Sequence, residues 1–416
     1  MTTIASLENL YAEKSGRDRQ KAWERLQTIG LPTRKSEAFR YVRLNSVLAK
    51  ERGLGSASQV EEKIIEQALF PEADRSYLVF VNGHYTPQLS DRSAFTDRAV
   101  VSSYQEAFNT YRSILQKQWA EEIENEEDPF SLINASLHSD SAFIYLPPRT
   151  LCEKPLQIIN IITDEQFALP RTNLFVGKES EVHVINTTYT LSDNYAVLGS
   201  LSLQIEEGAK VDLDQVHLNE KETGWHFEAV KAVLKRDSRL DCVNLTQGSL
   251  ATRYSYKVSL LGENGEASLS GLAPVKGSRE AHNHVLIEHH APHCRSNQKF
   301  KNILDEEGHT SFEGKIYVHR PAQKTEAYQL NQNLLLDDRA QAESKPNLEI
   351  FADDVSASHG ATFGQLDREQ VHYFETRGLP KKEAERLIVF GYCEEILQLL
   401  KIDSLRDYAR DKICHG

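Results

Sequence analysis

Gly177-Lys178-Glu179-Ser180-Glu181-Val182-His183-Val184, a short polar turn running into alternating β-branched residues, sets the plan of the fold. The same plan returns at Glu206-Glu207-Gly208-Ala209-Lys210-Val211-Asp212-Leu213 and at Lys235-Arg236-Asp237-Ser238-Arg239-Leu240-Asp241-Cys242. It returns again at Glu263-Asn264-Gly265-Glu266-Ala267-Ser268-Leu269, Glu306-Glu307-Gly308-His309-Thr310-Ser311-Phe312 and Asp337-Asp338-Arg339-Ala340-Gln341-Ala342. The spacings between turns are about 28, 30, 27, 43 and 31 residues, a period in the range of repeat architectures. One such unit is too short to bury its own apolar face, so neighbouring units must stack. Strands without intervening helices then predict a β-solenoid, with a β-sandwich as the competing arrangement. The 43-residue interval leaves room for an extra strand or a loop.

The segments outside this region carry helical spacing instead. Leu7, Leu10, Tyr11, Trp23 and Leu26 recur at three- and four-residue steps, and Gly30 and Pro32 end that run. Tyr77–Gly83 predicts a strand and turn, and Tyr104 to about Glu126 a helix ending in the acidic run Glu121–Asp128, expected on the solvated surface. Near the C-terminus, Asp367 is placed to cap one helix, Pro380 to open a second, and Asp403 to cap a third. The second has an apolar surface too wide for one stripe, as expected of a helix that buries more than one side. The expected organisation is an N-terminal helical and mixed domain over 1–150, a solenoid core over 151–360 and a C-terminal helical domain over 361–416.

Composition narrows the function. The chain has 416 residues, 40% hydrophobic and 26% charged, typical of a globular protein. A net charge of −13 argues against nucleic acid as a partner. No apolar run reaches the roughly 20 residues that span a bilayer, and the first residues lack a secretory leader, so a cytoplasmic protein without a membrane partner is expected. Cys152, Cys242, Cys294, Cys393 and Cys414 are scattered and form no C-x-x-C pair, which disfavours a disulfide framework and a cluster held by this chain's thiolates alone. Phosphate-loop, nucleophile-elbow and H-E-x-x-H patterns are absent.

Two stretches carry ligand-type side chains. His282, His284, His289, His290, His293 and Cys294 fall within thirteen residues, and imidazole with thiolate suits borderline and soft metals. His282 and His284 would share one face of a strand. His290, His293 and Cys294 are the metal candidates here; a surface loop or a histidine ladder is the other reading. The second stretch is Ala352-Asp353-Asp354-Val355-Ser356-Ala357-Ser358-His359-Gly360-Ala361-Thr362, a polar turn with two carboxylates and a histidine.

Several blocks together resemble the SufB/SufD family of iron–sulfur cluster assembly proteins. They are Ser296-Asn297-Gln298, Gly314-Lys315-Ile316-Tyr317-Val318, Ala322-Gln323-Lys324-Thr325, Asn331–Leu336, Lys345-Pro346-Asn347-Leu348-Glu349-Ile350 and the stretch from Ala352 to Thr362, in family order over about 90 residues. Gly30-Leu31-Pro32-Thr33-Arg34-Lys35-Ser36-Glu37 is similar to an N-terminal segment of the same family, in the branch that pairs with SufB. The resemblance implies an all-β core, a right-handed parallel β-helix, with N-terminal α/β and C-terminal α-helical regions. It further implies a non-catalytic scaffold of the SUF complex that pairs with SufB through the β-helix and docks the ATPase SufC on the C-terminal helices. A homodimer is one arrangement open to the chain when SufB is absent. His359 is the implied interface residue for iron or a transient Fe–S cluster. Family members commonly carry cysteine two residues before this histidine; here the residue is Ala357, so a thiolate must come from elsewhere. A solenoid enzyme acting on carbohydrate through Asp353 and Asp354 is the alternative, weakened because adjacent strand residues face opposite ways. A membrane-transport component is a further reading, and the lack of a spanning segment excludes an integral role.

Overall fold

Among the described residues from Leu156 to Gly364, the chain is strand and turn without helix. The computed structural model describes residues 1–12, 17–33, 35–95, 99–218 and 223–414. Strands β1 (Tyr77–Val81), β2 (His84–Tyr85), β3 (Val100–Ser103) and β4 (Ala142–Leu146) precede the solenoid, among helices α1 (Ile4–Ala12), α2 (Arg17–Ile29), α3 (Leu44–Val47), α4 (Glu62–Ala68), α5 (Tyr104–Glu124) and α6 (Pro129–Leu137). The coils follow as β5 (Leu156–Ile162), β6 (Phe167–Ala168), β7 (Arg171–Val176), β8 (Glu181–Thr190), β9 (Ala196–Ile205), β10 (Lys210–His217), β11 (Trp225–Leu234), β12 (Arg239–Thr246) and β13 (Ala251–Leu260). They continue through β14 (Glu266–Val275), β15 (Glu280–His289), β16 (Arg295–Leu304), β17 (His309–Val318), β18 (Thr325–Leu335), β19 (Gln341–Ile350) and β20 (Val355–Gly364). Helices α7 (Arg368–Thr376), α8 (Lys381–Leu397) and α9 (Asp403–Cys414) close the chain.

Successive strands alternate between two sheets. One runs β2-β1-β5-β8-β10-β12-β14-β16-β18-β20 and the other β19-β17-β15-β13-β11-β9-β7-β4-β3, and all solenoid pairs are parallel. This is a parallel β-solenoid with a mixed N-terminal region and C-terminal helices, and the sandwich arrangement is set aside. Its lumen is filled by the inward rows of both sheets, including Val184, Leu213, Leu269, Tyr254, Val285, Phe300 and Phe312. The outer faces are covered as well. Helices α1, α2 and α6 pack on Leu198, Trp225 and Phe227. Helices α8 and α9 pack Cys393, Ile396, Leu397, Leu405 and Ala409 on Ile185, Val216, Val243, Leu272 and Ile303. Burial on both faces suits the nearly continuous apolar runs of β1, β4 and β5.

The turns at one corner repeat residue for residue. Arg149, Glu179, Gly208, Asp237, Asn264, His293 and Lys324 all have φ between 55° and 70°. That left-handed conformation suits glycine and asparagine best and histidine passably. His293 therefore marks a turn that the sequence spacing did not reveal. The 43-residue interval is about one coil and a half, because Glu306–Gly308 and Asp337–Ala340 belong to the opposite corner. Gly262 lies against the previous coil so closely that a Cβ would fall 2.0 Å from Arg236 N.

The acidic run at the end of α5 departs in part from the expected solvated surface: Glu121, Glu124 and Glu127 are exposed, but three of its carboxylates are not. Glu122 pairs with Arg171, Glu126 with Lys231, and Asp128 with Arg253 at 2.6 Å. All three carboxylates lie against outward-facing cations of the solenoid. Burial pushes the Glu122 and Glu126 carboxyls up, but the neighbouring cations outweigh it and hold both below the ordinary range. The alternation of sign between a helix end and a distant sheet face is invisible to a local reading of charge.

Candidate functional site

The last coil has no successor. β19 and β20 each pair on one side only, and their residues are partly or fully exposed where earlier coils are buried. Register fixes which side chains face the lumen. His359 aligns with Gln329, which aligns with Gln298, Leu269, Cys242, Leu213 and Val184 in turn. This inward column is apolar through four successive strands, then becomes amide in two, then imidazole at the mouth. Gln329 Nε2 donates to Gln298 Oε1 at 2.8 Å, which links the two amides inside the lumen. His359 stands beyond them, exposed. Two residues earlier, half-buried Ala357 occupies the column of Ala327 and Ser296 and packs near Leu348, Ile350 and Val355.

Asp353 and Asp354 form the exposed turn that leads into β20. Asp354 N donates to Gln323 Oε1 at 2.9 Å and its carbonyl accepts from Lys324 N, so the turn is anchored to the preceding coil through its backbone. Their carboxylates join none of the groups of three metal-type ligands found among the described residues.

The histidine-rich stretch spreads over four environments. His282 faces outward on β15 and sits with Glu280 (3.1 Å) and Ser311 (2.8 Å), while Glu280 also binds His309 and Arg43. Burial pushes His309 down, but its hydrogen bonds to Glu280 and Glu343 prevail and raise it to about 9. Burial keeps His282 below the ordinary histidine range. His284 shares the outward face of β15 with His282, as the strand period requires. His289 turns inward and contacts Ser296 Oγ at 2.8 Å.

Beyond the strand, His290 stacks on His319, with ring centroids 4.0 Å apart and planes 22° apart. Burial and the His319 ring lower its pKa. His293 is exposed on its left-handed turn, 3.9 Å from Glu263. Cys294 is fully buried in a corner row with Ser180, Ala209, Ser238 and Thr325, and its thiol contacts Gly262 O at 3.2 Å. Burial pushes that thiol up. A row of small residues accounts for Cys294 by size. The structure thus brings His290 to His319 and Glu288, not to His293 or Cys294.

One buried group lay beyond sequence reading. His217 and His226, on different sheets, both address Glu228 Oε2, at 3.3 and 3.0 Å, inside the lumen. Asn186 Nδ2 donates to its other oxygen at 2.6 Å. Burial raises the Glu228 carboxyl, yet these imidazoles overcome it and hold it well below the ordinary range. Only the inward phase of β10 and β11 brings the pair together, and a nine-residue separation in sequence gives no hint of it.

No helix among the described residues is long and apolar enough to cross a membrane. The sequence model described as "SUF system FeS cluster assembly, SufBD core domain" matches residues 159–392, and that of the "SufBD protein N-terminal region" matches residues 4–158. The chain is similar to the iron–sulfur cluster assembly protein SufD of Escherichia coli, 29% identical over 401 residues that cover 95% of this chain and 91% of that protein. A SufBD family iron–sulfur cluster assembly protein of Synechocystis is 26% identical over 404 residues, covering 94% and 89%. The iron–sulfur cluster assembly protein SufB of Bacillus subtilis is 23% identical over 370 residues, covering 86% and 79%.

Proposed function

Because this chain belongs to the SufBD family of SUF-system iron–sulfur cluster assembly proteins, we propose that it is a non-catalytic, SufD-like scaffold subunit whose open solenoid end meets a SufB-type chain. The observation that carries this reading is the uncovered last coil. A strand edge left bare offers a row of unpaired backbone donors and acceptors, which proteins normally blunt or use for pairing. Here it is long, with Phe351 and Phe363 about half exposed. A SufB-type chain, itself similar over most of this length, would bring a matching edge.

His359 stands at that mouth as the imidazole offered to the substrate, iron or a nascent cluster. Ala357 supplies no thiolate beside it, so the sulfur ligand comes from the partner chain in this reading. ATP hydrolysis falls to a SufC-type subunit docked on α7 and α8, in keeping with the missing phosphate-loop motif. In the absence of a SufB-type chain, two copies of this protein would pair through the same end. The cytosol is the expected compartment.

The test is copurification followed by anaerobic cluster assembly. The chain is expected to form a stable complex with SufB-type and SufC-type partners, and His359→Ala to keep that complex while lowering cluster yield from ferrous iron and sulfide at least several-fold. No stable complex would contradict the scaffold reading. Equal cluster yield would remove His359 from it.

A further inference from the structure

Three groups of imidazole and carboxylate ligands occur among the described residues, and they differ in how their charge is met. In the lumen, Glu228 is already bound by two imidazoles and an amide. On the outer face, Glu280 already holds Arg43, His282 and His309. The third group is Glu288, His290 and His319, and its carboxylate has only the Ser259 hydroxyl, at 3.3 Å. Here a carboxylate and two imidazoles converge, and the carboxylate makes no ion pair with a lysine or arginine among the described residues.

We propose that Glu288, His290 and His319 form a surface site for a divalent first-row transition-metal ion of the ferrous or zinc type. The corner of the solenoid builds it. His290 N donates to Leu260 O and His319 N to His289 O, so the two histidines hold the same position in successive coils. Leu261 and Phe351 fill that position in the coils on either side, and both are exposed. The two imidazoles therefore stand side by side between an exposed leucine and an exposed phenylalanine. Tyr317, itself packed on Phe351, lies 4.5 Å from the His319 ring and limits its rotation.

One ligand atom from each of the three residues lies within 4.8 Å of the others. An ion about 2.1 Å from each donor in tetrahedral geometry holds donors roughly 3.4 Å apart, so closing the site takes about an ångström of side-chain movement. His319 Nε2 is buried and makes no hydrogen bond to the protein, so a nitrogen lone pair or proton there is unspent. Two imidazoles with one carboxylate favour zinc and iron over calcium and magnesium, which take oxygen ligands. Three protein ligands leave the fourth position open to water or an incoming group. The inference stands on these side chains and is independent of the function proposed above.

The test uses the full chain stripped of metal with a chelator, titrated anaerobically with Co2+ alone and followed by calorimetry and visible absorption. One site per chain is expected. His290→Ala and His319→Ala should each weaken it about tenfold or more, and Glu288→Gln should weaken it less. His372→Ala, which removes an exposed imidazole far from the corner in sequence, should leave it unchanged. His319→Gln keeps the bulk without the ring nitrogen and should behave as His319→Ala. Wild-type binding in the His290 and His319 variants, full binding restored by glutamine, or no stoichiometric Co2+ in the parent chain would each overturn the proposal.

Discussion

His309 shows how much a single side chain can join. Its ring bridges Glu280 on β15 and Glu343 on β19, and Glu280 also takes Arg43 from the N-terminal region. The folded pKa of about 9 lies above the ordinary histidine value, so the proton is bound more tightly in the folded state. This contribution is fully present below the unfolded value, about 6.5, and is lost as pH rises through about 9. His309→Gln should therefore be less stable than the parent by about 2 kcal/mol at mildly acidic pH, and the gap should close by about pH 10. Denaturant unfolding across that range reads it, and a gap independent of pH would contradict the bridge. The sequence showed His309 only as a residue after a turn. Its partners are 29 and 34 residues away, and coil stacking alone brings them together. The same holds for His290, whose partner His319 was one coil beyond the histidine-rich stretch.

At the scale of elements, the helix ends were legible because capping is local. Asp367 accepts from Glu369 N at 2.9 Å at the start of α7, and Gly378 ends that turn with φ 91°. Pro380 precedes α8, and α9 begins at Asp403. The stretch His289–Cys294 reads as a bend because of Pro292, but not as one of the repeating corners, because Pro292-His293-Cys294 lacks the glycine or acidic residues that mark its neighbours. The width of the apolar surface on α8 is resolved by packing: Ala384, Cys393, Ile396 and Leu397 go inward, while Leu387 on α8 and Tyr373 on α7 stay exposed. These two offer an aromatic and an aliphatic anchor to a docking partner. Changing both Tyr373 and Leu387 to Asp should weaken binding of a SufC-type ATPase at least tenfold, measured by calorimetry, with an unchanged thermal melt. Undiminished affinity would place the ATPase elsewhere.

For the whole molecule, the period of the turns carried the architecture, and the coil stacking confirms it from β5 to β20. What the period could not show is that the solenoid is covered on both faces by helices yet bare at one end. The N-terminal strands close the other end, where β1 pairs with β5 and β4 with β7. In the function proposed above, the open end is where a SufB-type chain continues the solenoid. His359 lies where that continuation would begin, in line with the lumen column.

Hydrogen–deuterium exchange of β19 and β20 tests this most directly. In the isolated chain, before any pairing, the outward-edge amides of Gln341–Ile350 and Val355–Gly364 should exchange faster than those of β13 to β16. In the complex with a SufB-type partner, the same amides should slow by about tenfold or more, since each gains a strand partner. Exchange in these two strands that is unchanged in an intact complex would contradict the account, because the open end would then not be where the partner binds.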